Sequence, residues 1–180
     1  MDKFAGNFRL LDRCDASAIK QKVLALAEAD WEAVNWRQER FEAHQNTQTI
    51  ELIFDRDFRH ENPTKRDMYF ALDCDHLLAP LVEPIAEYYT GEGYLVRALL
   101  VRLRAKGMIV AHVDTGFSLL AARRIHFPVI TNEQVVFTVR DEPRRLPEGE
   151  LWEINNARSH SVENRSEEHR VHLIMDWVVQ

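Results

Sequence analysis

From Tyr94 to the end of the chain the sequence breaks into short runs of aliphatic, β-branched and aromatic residues separated by turn residues. No segment in that half keeps helical spacing. The runs are YLVRALLVRLR, MIVAHVD, ARRIHFPVIT, QVVFTVR, ELWEIN, HSVEN and VHLIMDWVV. Several short strands at fairly even intervals must bury their apolar faces against one another, which predicts an antiparallel barrel or a double-sheet jelly roll.

The first half is mixed. NFRLLD suits a short strand, and Asp15 is placed to cap a helix through DASAIKQKVLALAEADWEAV, where Ile19, Val23, Leu24, Leu26, Ala27 and Trp31 follow helical spacing. TQTIELIFD reads as a strand with Ile50, Leu52 and Phe54 on one side, and FRHENPTKRD as a polar loop. A second helix is expected through HLLAPLVEPIAEYYTGEG, starting near Pro80 or kinking at Pro84 and ended by Gly91 and Gly93. The fold class predicted is mainly β with N-terminal helices around a double-stranded β-helix core of the jelly-roll or cupin type. At 180 residues the chain fits a single domain, with residues 1–93 as support and 94–180 as the strands that carry the chemistry.

Composition excludes several classes of function. With 46% hydrophobic and 29% charged residues the chain is composed like an ordinary globular protein, not a disordered one. A net charge of -6 without a basic run gives no footprint for nucleic acid or an anionic membrane. Cys14 and Cys74 have no metal-binding or redox spacing and are expected to be reduced thiols. No apolar stretch approaches the length of a membrane span or a signal-peptide core, so a cytoplasmic location is expected. Oligomeric state is left open.

The strand half holds five of the eight histidines: His112, His126, His160, His169 and His172. His112 and Asp114 stand at i and i+2, on one side of an extended chain, where both could hold one ion. Imidazole and carboxylate together suit iron(II), with two histidines and one carboxylate on one face of the ion and the other positions open. His160 is the first choice for the third ligand, with His126 and His172 as alternatives. Arg124 shares a face with His126, and Arg170 with His172, Ile174 and Asp176. An arginine turned into a barrel is costly to bury unless its planar fork meets an anion, such as a dicarboxylate cosubstrate. The competing reading pairs Arg170 with a glutamate of SEEHR at a sheet edge.

Taken in order, HVDTGFSLLAARRIHFPVIT and GELWEINNARSHSVENRSEEHRVHLIMDW resemble the aspartyl/asparaginyl beta-hydroxylase family of iron(II) and 2-oxoglutarate-dependent dioxygenases. The resemblance spans roughly residues 95–178, and FEAHQNTQTIEL matches the family's upstream segment loosely. It implies that His112, Asp114 and His160 bind iron and that Arg170 grips the distal carboxylate of 2-oxoglutarate. Arg124 and His126 fall at further cosubstrate contacts, and Arg102 on an upstream strand is a weaker candidate. Arg123 faces away from Arg124 by strand parity. Animal peptide-modifying members carry glycine where this chain has Asp114, so the resemblance is to the bacterial branch, which includes hydroxylases of free amino acids. The implied activity is hydroxylation of an amino acid, an amino-acid-bearing small molecule or a peptide, using O2 and releasing succinate and CO2. The alternative is a non-catalytic cupin-like module that binds metal or carboxylate as a sensor or carrier.

Other residues have plainer readings. Trp152 and Trp177 fit the core of a sheet. Asn155 and Asn156 either orient a ligand or substrate or close a strand as turn residues. His44 and Arg37 reach either the pocket mouth or solvent, and RDEPRRLPEGE reads as a solvated hairpin loop.

Overall fold

The computed structural model describes all residues except 1, 2, 35, 41–43, 58 and 60, together with the side chains of 37 and 38. The strands are β1 (Phe8–Arg13), β2 (Thr47–Asp55), β3 (Pro63–Lys65), β4 (Gly93–Leu103), β5 (Met108–His112), β6 (Arg123–Ile130), β7 (Val135–Val139), β8 (Glu142–Arg144), β9 (Glu150–Ile154), β10 (His160–Asn164) and β11 (Arg170–Val179). The helices are α1 (Ser17–Leu24), α2 (Glu28–Glu32), α3 (Trp36–Arg40), α4 (Asp67–Ala71), α5 (Cys74–Tyr88) and α6 (Phe117–Ala121). Seven strands form one sheet in the order β1-β9-β6-β11-β4-β2-β3, and four form a second in the order β5-β10-β7-β8. Every pairing is antiparallel. This is the jelly-roll arrangement expected from the strand spacing.

Alternation along each strand divides the large sheet into two faces. On the outer face Ile50, Leu52, Leu100, Ile125, Phe127, Leu173 and Met175 form one buried cluster with Ile19, Val23, Leu78, Leu81 and Ile85 of the helices. A fully buried aliphatic or aromatic side chain contributes about 1.5–3 kcal/mol relative to exposure, so this layer is the main source of stability. The inner face meets the small sheet through Leu103, Trp152 and Ile154 on one side and Ile109, Phe137, Val139 and Val162 on the other.

Several expectations need correcting. The long first helix is two short ones, and its cap residue is Ala16, while Asp15 accepts hydrogen bonds from the Ser17 amide and hydroxyl just outside it. Helix α5 starts at Cys74 and runs through both prolines. Pro80 is exposed and Pro84 half-buried, and the Pro80 carbonyl, which Pro84 cannot bond for want of an amide hydrogen, accepts from the Cys14 thiol at 3.7 Å. The helix is closed by Thr90 in the left-handed region and by the Gly91 amide donating to Ala86. Gly93 belongs to β4, where a Cβ would come within 2.5 Å of the Trp177 ring. A bulge between Glu51 and Ile53 puts Phe54 on the opposite face from Ile50 and Leu52. The polar loop at 58–67 contains β3, the hairpin loop at 140–150 contains β8, and the strand half contains the helix α6. Among the described residues no helix is long and apolar enough to cross a membrane.

Candidate active site

His112 ends β5 and His160 begins β10, and these residues are paired across the two strands. Strand parity alone would turn His112 outward with Met108 and Val110, both exposed. One extra residue in β5 between Ile109 and His112, opposite His160 to Val162, resets that phase and aims His112 inward. Asp114 follows on the chain leaving β5, its amide donating to the Asn156 carbonyl. The ring centroids of His112 and His160 lie 4.3 Å apart. Both Nε2 atoms stand 3.9 Å from a carboxylate oxygen of Asp114. One ligand atom from each of the three residues lies within 4.8 Å of the others, close enough to share one ion.

The surrounding groups fix which atoms face that point. Nδ1 of His112 contacts the Val110 carbonyl at 2.8 Å and Nδ1 of His160 the Arg158 carbonyl at 2.9 Å. A ring that donates from Nδ1 keeps an Nε2 lone pair for a metal. Oδ2 of Asp114 accepts from Arg124 Nη1 at 2.8 Å and from Asn156 Nδ2 at 3.0 Å. Burial alone would raise the pKa of Asp114, but the charge of Arg124, with His160 and the Asn156 bond, holds its carboxyl well below the usual range. Burial lowers the pKa of His160, with Asp114 opposing in part, so the imidazole is neutral at pH 7 as a metal ligand requires.

A narrow cavity, partly open to solvent, runs from His112 and His160 past His126 and Phe137 to Arg170, walled by Leu99, Val101, Ile109, Val162 and Ile174. Arg170 has no exposed surface, and none of its three guanidinium nitrogens has a hydrogen-bond partner among the described residues. Burial without a counter-charge pulls its pKa down to about 9, which still leaves it charged at pH 7. The glutamates of SEEHR do not pair with it. His126 and His172, also buried, approach each other through Nδ1 at 3.3 Å, and neither Nε2 has a partner among the described residues. Burial first, then the charge of Arg170, lowers both pKa values well below 6.5.

The remaining sequence candidates divide. His44 lines the cavity mouth with its ring 6.0 Å from that of His112, while the side chain of Arg37 lies outside the described residues. Arg124 lines the cavity, but its fork is held by Asp176 and Asp114. Asn156 binds Asp114, so it is a support for that carboxylate. Asn155 turns away, its amide donating to the carbonyls of Phe4 and Gly6, and therefore acts as a tie to the N-terminal segment and not as a substrate contact. Arg102 is corrected too: on β4 it alternates with the cavity-lining Val101 and faces the helices, where it bonds Glu28 and Gln48 over the Trp31 ring. Buried Asp176 holds Arg124, and the i, i+2 spacing of Arg170, His172, Ile174 and Asp176 places it on the cavity side, whereas no local pattern marks the buried pair Arg97 and Asp55.

A family model described as Aspartyl/Asparaginyl beta-hydroxylase matches residues 15–179. The chain belongs to the aspartyl/asparaginyl beta-hydroxylase family. A search of curated protein sequences finds no match. Solved structures similar to this beta-hydroxylase family member include a 2OG-Fe(II) oxygenase family oxidoreductase from Burkholderia pseudomallei, at 14% identity and TM-score 0.60, covering 93% of each chain. A prolyl hydroxylase from Trichoplax adhaerens, solved with a hypoxia inducible factor peptide fragment, superimposes at TM-score 0.64 and 9% identity over 97% of this chain and 84% of its own. The viral collagen prolyl hydroxylase of Paramecium Bursaria Chlorella virus-1 gives TM-score 0.58 at 9% identity over 98% and 97%. At these identities the structural likeness establishes the shared fold, and the family model establishes the kinship.

Proposed function

We propose that the chain is an iron(II) and 2-oxoglutarate-dependent hydroxylase of an amino acid or an amino-acid-bearing small molecule or peptide. The observation that carries this reading is a single cavity with two imidazoles and a carboxylate at one end and a buried, unpartnered arginine at the other. The donor set fits iron(II), and a planar fork in an apolar enclosure fits a carboxylate that arrives from solution. His112, Asp114 and His160 would hold the metal through Nε2, one carboxylate oxygen and Nε2. Iron(II), 2-oxoglutarate and O2, once bound, supply the oxidative chemistry that ends in a hydroxylated product, succinate and CO2.

The chain's own residues do the rest. Arg170 orients the cosubstrate by its distal carboxylate, with His126 beside the cavity as a neutral hydrogen-bonding group. Leu99, Val101 and Ile174 exclude water from the cosubstrate, which strengthens the charge pairing with Arg170. Arg124 and Asn156 occupy Oδ2 of Asp114, leaving Oδ1 to turn to the metal. The substrate enters on the His44 side, because the opposite end of the cavity is closed by Arg170.

The test is anaerobic titration of the iron(II)-loaded protein with 2-oxoglutarate. A visible charge-transfer band is expected, together with succinate formation when air is admitted. His112→Ala should abolish both. A protein that binds iron but yields neither band nor succinate would be a metal-binding module of the cupin type.

A further inference from the structure

Beginning at Asp114, a line of buried charges crosses the inner face of the large sheet, and it ends on the same short segment from which it starts. Asp114 accepts from Arg124 on β6. Arg124 makes a two-pronged contact with Asp176 on β11, Nε to Oδ1 and Nη2 to Oδ2, both at 2.9 Å. Asp176 is paired in register with Arg97 on β4, and Arg97 donates to Asp55 at the end of β2. The other oxygen of Asp55 accepts from the hydroxyl of Ser118, in the first turn of α6, four residues after Asp114. All six side chains belong to residues at most 8% exposed.

We infer that this line is a staple that pins residues 114–118 at both ends and so sets the position of the metal-binding carboxylate, with Asp55, Ser118 and Asp176 as positioning residues. The inference rests on the reading of His112, Asp114 and His160 as metal ligands. Stability gives little reason for such a line, since apolar residues of similar volume in place of buried ion pairs are often neutral or stabilising. The stretch it pins needs holding. Asp114 lies in the connection between β5 and α6, outside any strand, and α6 has only five residues. Its exposed Phe117 and Leu120 supply little packing, whereas Ser118 is wholly buried. Beyond Ser118 the helix is also tied through the Leu119 carbonyl, which accepts from Asn156 Nδ2 and Lys3 Nζ, so the Asp55 contact is what holds the 114–118 segment itself at its far end. Asp176 takes up Nε and Nη2 of Arg124, so the guanidinium is oriented with Nη1 turned to Asp114.

The experiment titrates the metal-free protein with cobalt(II) alone and reads affinity and the d–d absorption bands, beside thermal unfolding of the metal-free form. Ser118→Ala and Asp55→Asn should weaken cobalt binding by about tenfold to 100-fold, the range found when groups supporting metal ligands are removed, and should change the band pattern. Leu78→Ala, in the helix-side core, should lower the unfolding midpoint at least as much and leave cobalt affinity and spectrum unchanged. Wild-type affinity and spectrum in a folded Ser118→Ala protein would overturn the staple, whatever happens to its unfolding midpoint. That variant decides the question if Asp55→Asn does not fold. Failure of the metal reading looks different: the wild type and His112→Ala would then bind cobalt equally, or neither would bind it, and the staple would fall with that reading.

Discussion

On β11, Val171, Leu173, Met175 and Trp177 join the helix-side core, while Arg170, His172 and Asp176 between them face the small sheet. One strand thus supplies both an apolar layer and a row of charged and titratable groups, separated only by the alternation of a pleated chain. The outer face is closed mainly by apolar burial, and its polar atoms without a hydrogen-bond partner among the described residues, including the Trp177 indole nitrogen and the Glu153 carboxylate, line no common cavity with the metal-ligand candidates. The inner face carries groups whose partners are incomplete, most plainly Arg170, His126 and His172. Native interiors leave few polar groups unpaired, and on the inner face Arg170 and His126 line the same cavity as His112 and His160, which marks this face as the one shaped for a ligand.

The largest effect should come from breaking the outer face. Leu173→Ala removes a side chain with no exposed surface and should cost about 3–4 kcal/mol in urea unfolding of the metal-free protein. Cosubstrate affinity of the fraction that stays folded should be unchanged. Three residues earlier, Arg170→Met should do the reverse. It should weaken 2-oxoglutarate binding about 100-fold, equivalent to about 2.7 kcal/mol, without destabilising the ligand-free protein, because it replaces an unpaired buried charge with an apolar chain. Unfolding at lower denaturant than wild type would show that Arg170 has a protein partner.

A smaller effect separates the faces by pH. His126 and His172 have folded pKa values below 6.5, so between those values and 6.5 the unfolded chain binds more protons and stability falls as pH falls. From pH 6.5 to 5.5 the pair should remove about 2 kcal/mol from the metal-free protein, and the double variant His126→Gln, His172→Gln should flatten that slope. An unchanged slope would assign it to other groups. Least of all should Arg102→Met matter to the chemistry, since Arg102 faces the helices: 2-oxoglutarate affinity should stay within about twofold of wild type.

What could be read in the sequence was local. β4, β6, β7 and β11 were legible because each is a short run rich in aliphatic, β-branched and aromatic residues bounded by turn residues, and the jelly roll follows from their spacing. His112, Asp114 and His160 were legible as chemistry because of their residue types and order, although parity along β5 gives the wrong orientation for His112 until the bulge is known. Bulges depend on the partner strand, which no local pattern records. The same limit explains Phe54, and it explains Arg102, which carries the right residue type on the wrong side of its strand. Helix α6 has five residues, too few to display a helical period. Asp55 and Asp176 lie more than a hundred residues apart in the chain and acquire their relation only when β2, β4 and β11 align.

Arg170 has one more consequence, for the supply of protein in the cell. A cation sealed in the core, with no counter-charge among the described residues, makes the folded state sensitive to whatever carboxylate seats on it. A ligand at 100 times its dissociation constant adds about 2.7 kcal/mol to the folded state. Differences of that size change how much of a marginally stable protein survives quality control. Through this side chain, the concentration of a small dicarboxylate would govern the lifetime of the catalyst as well as its rate.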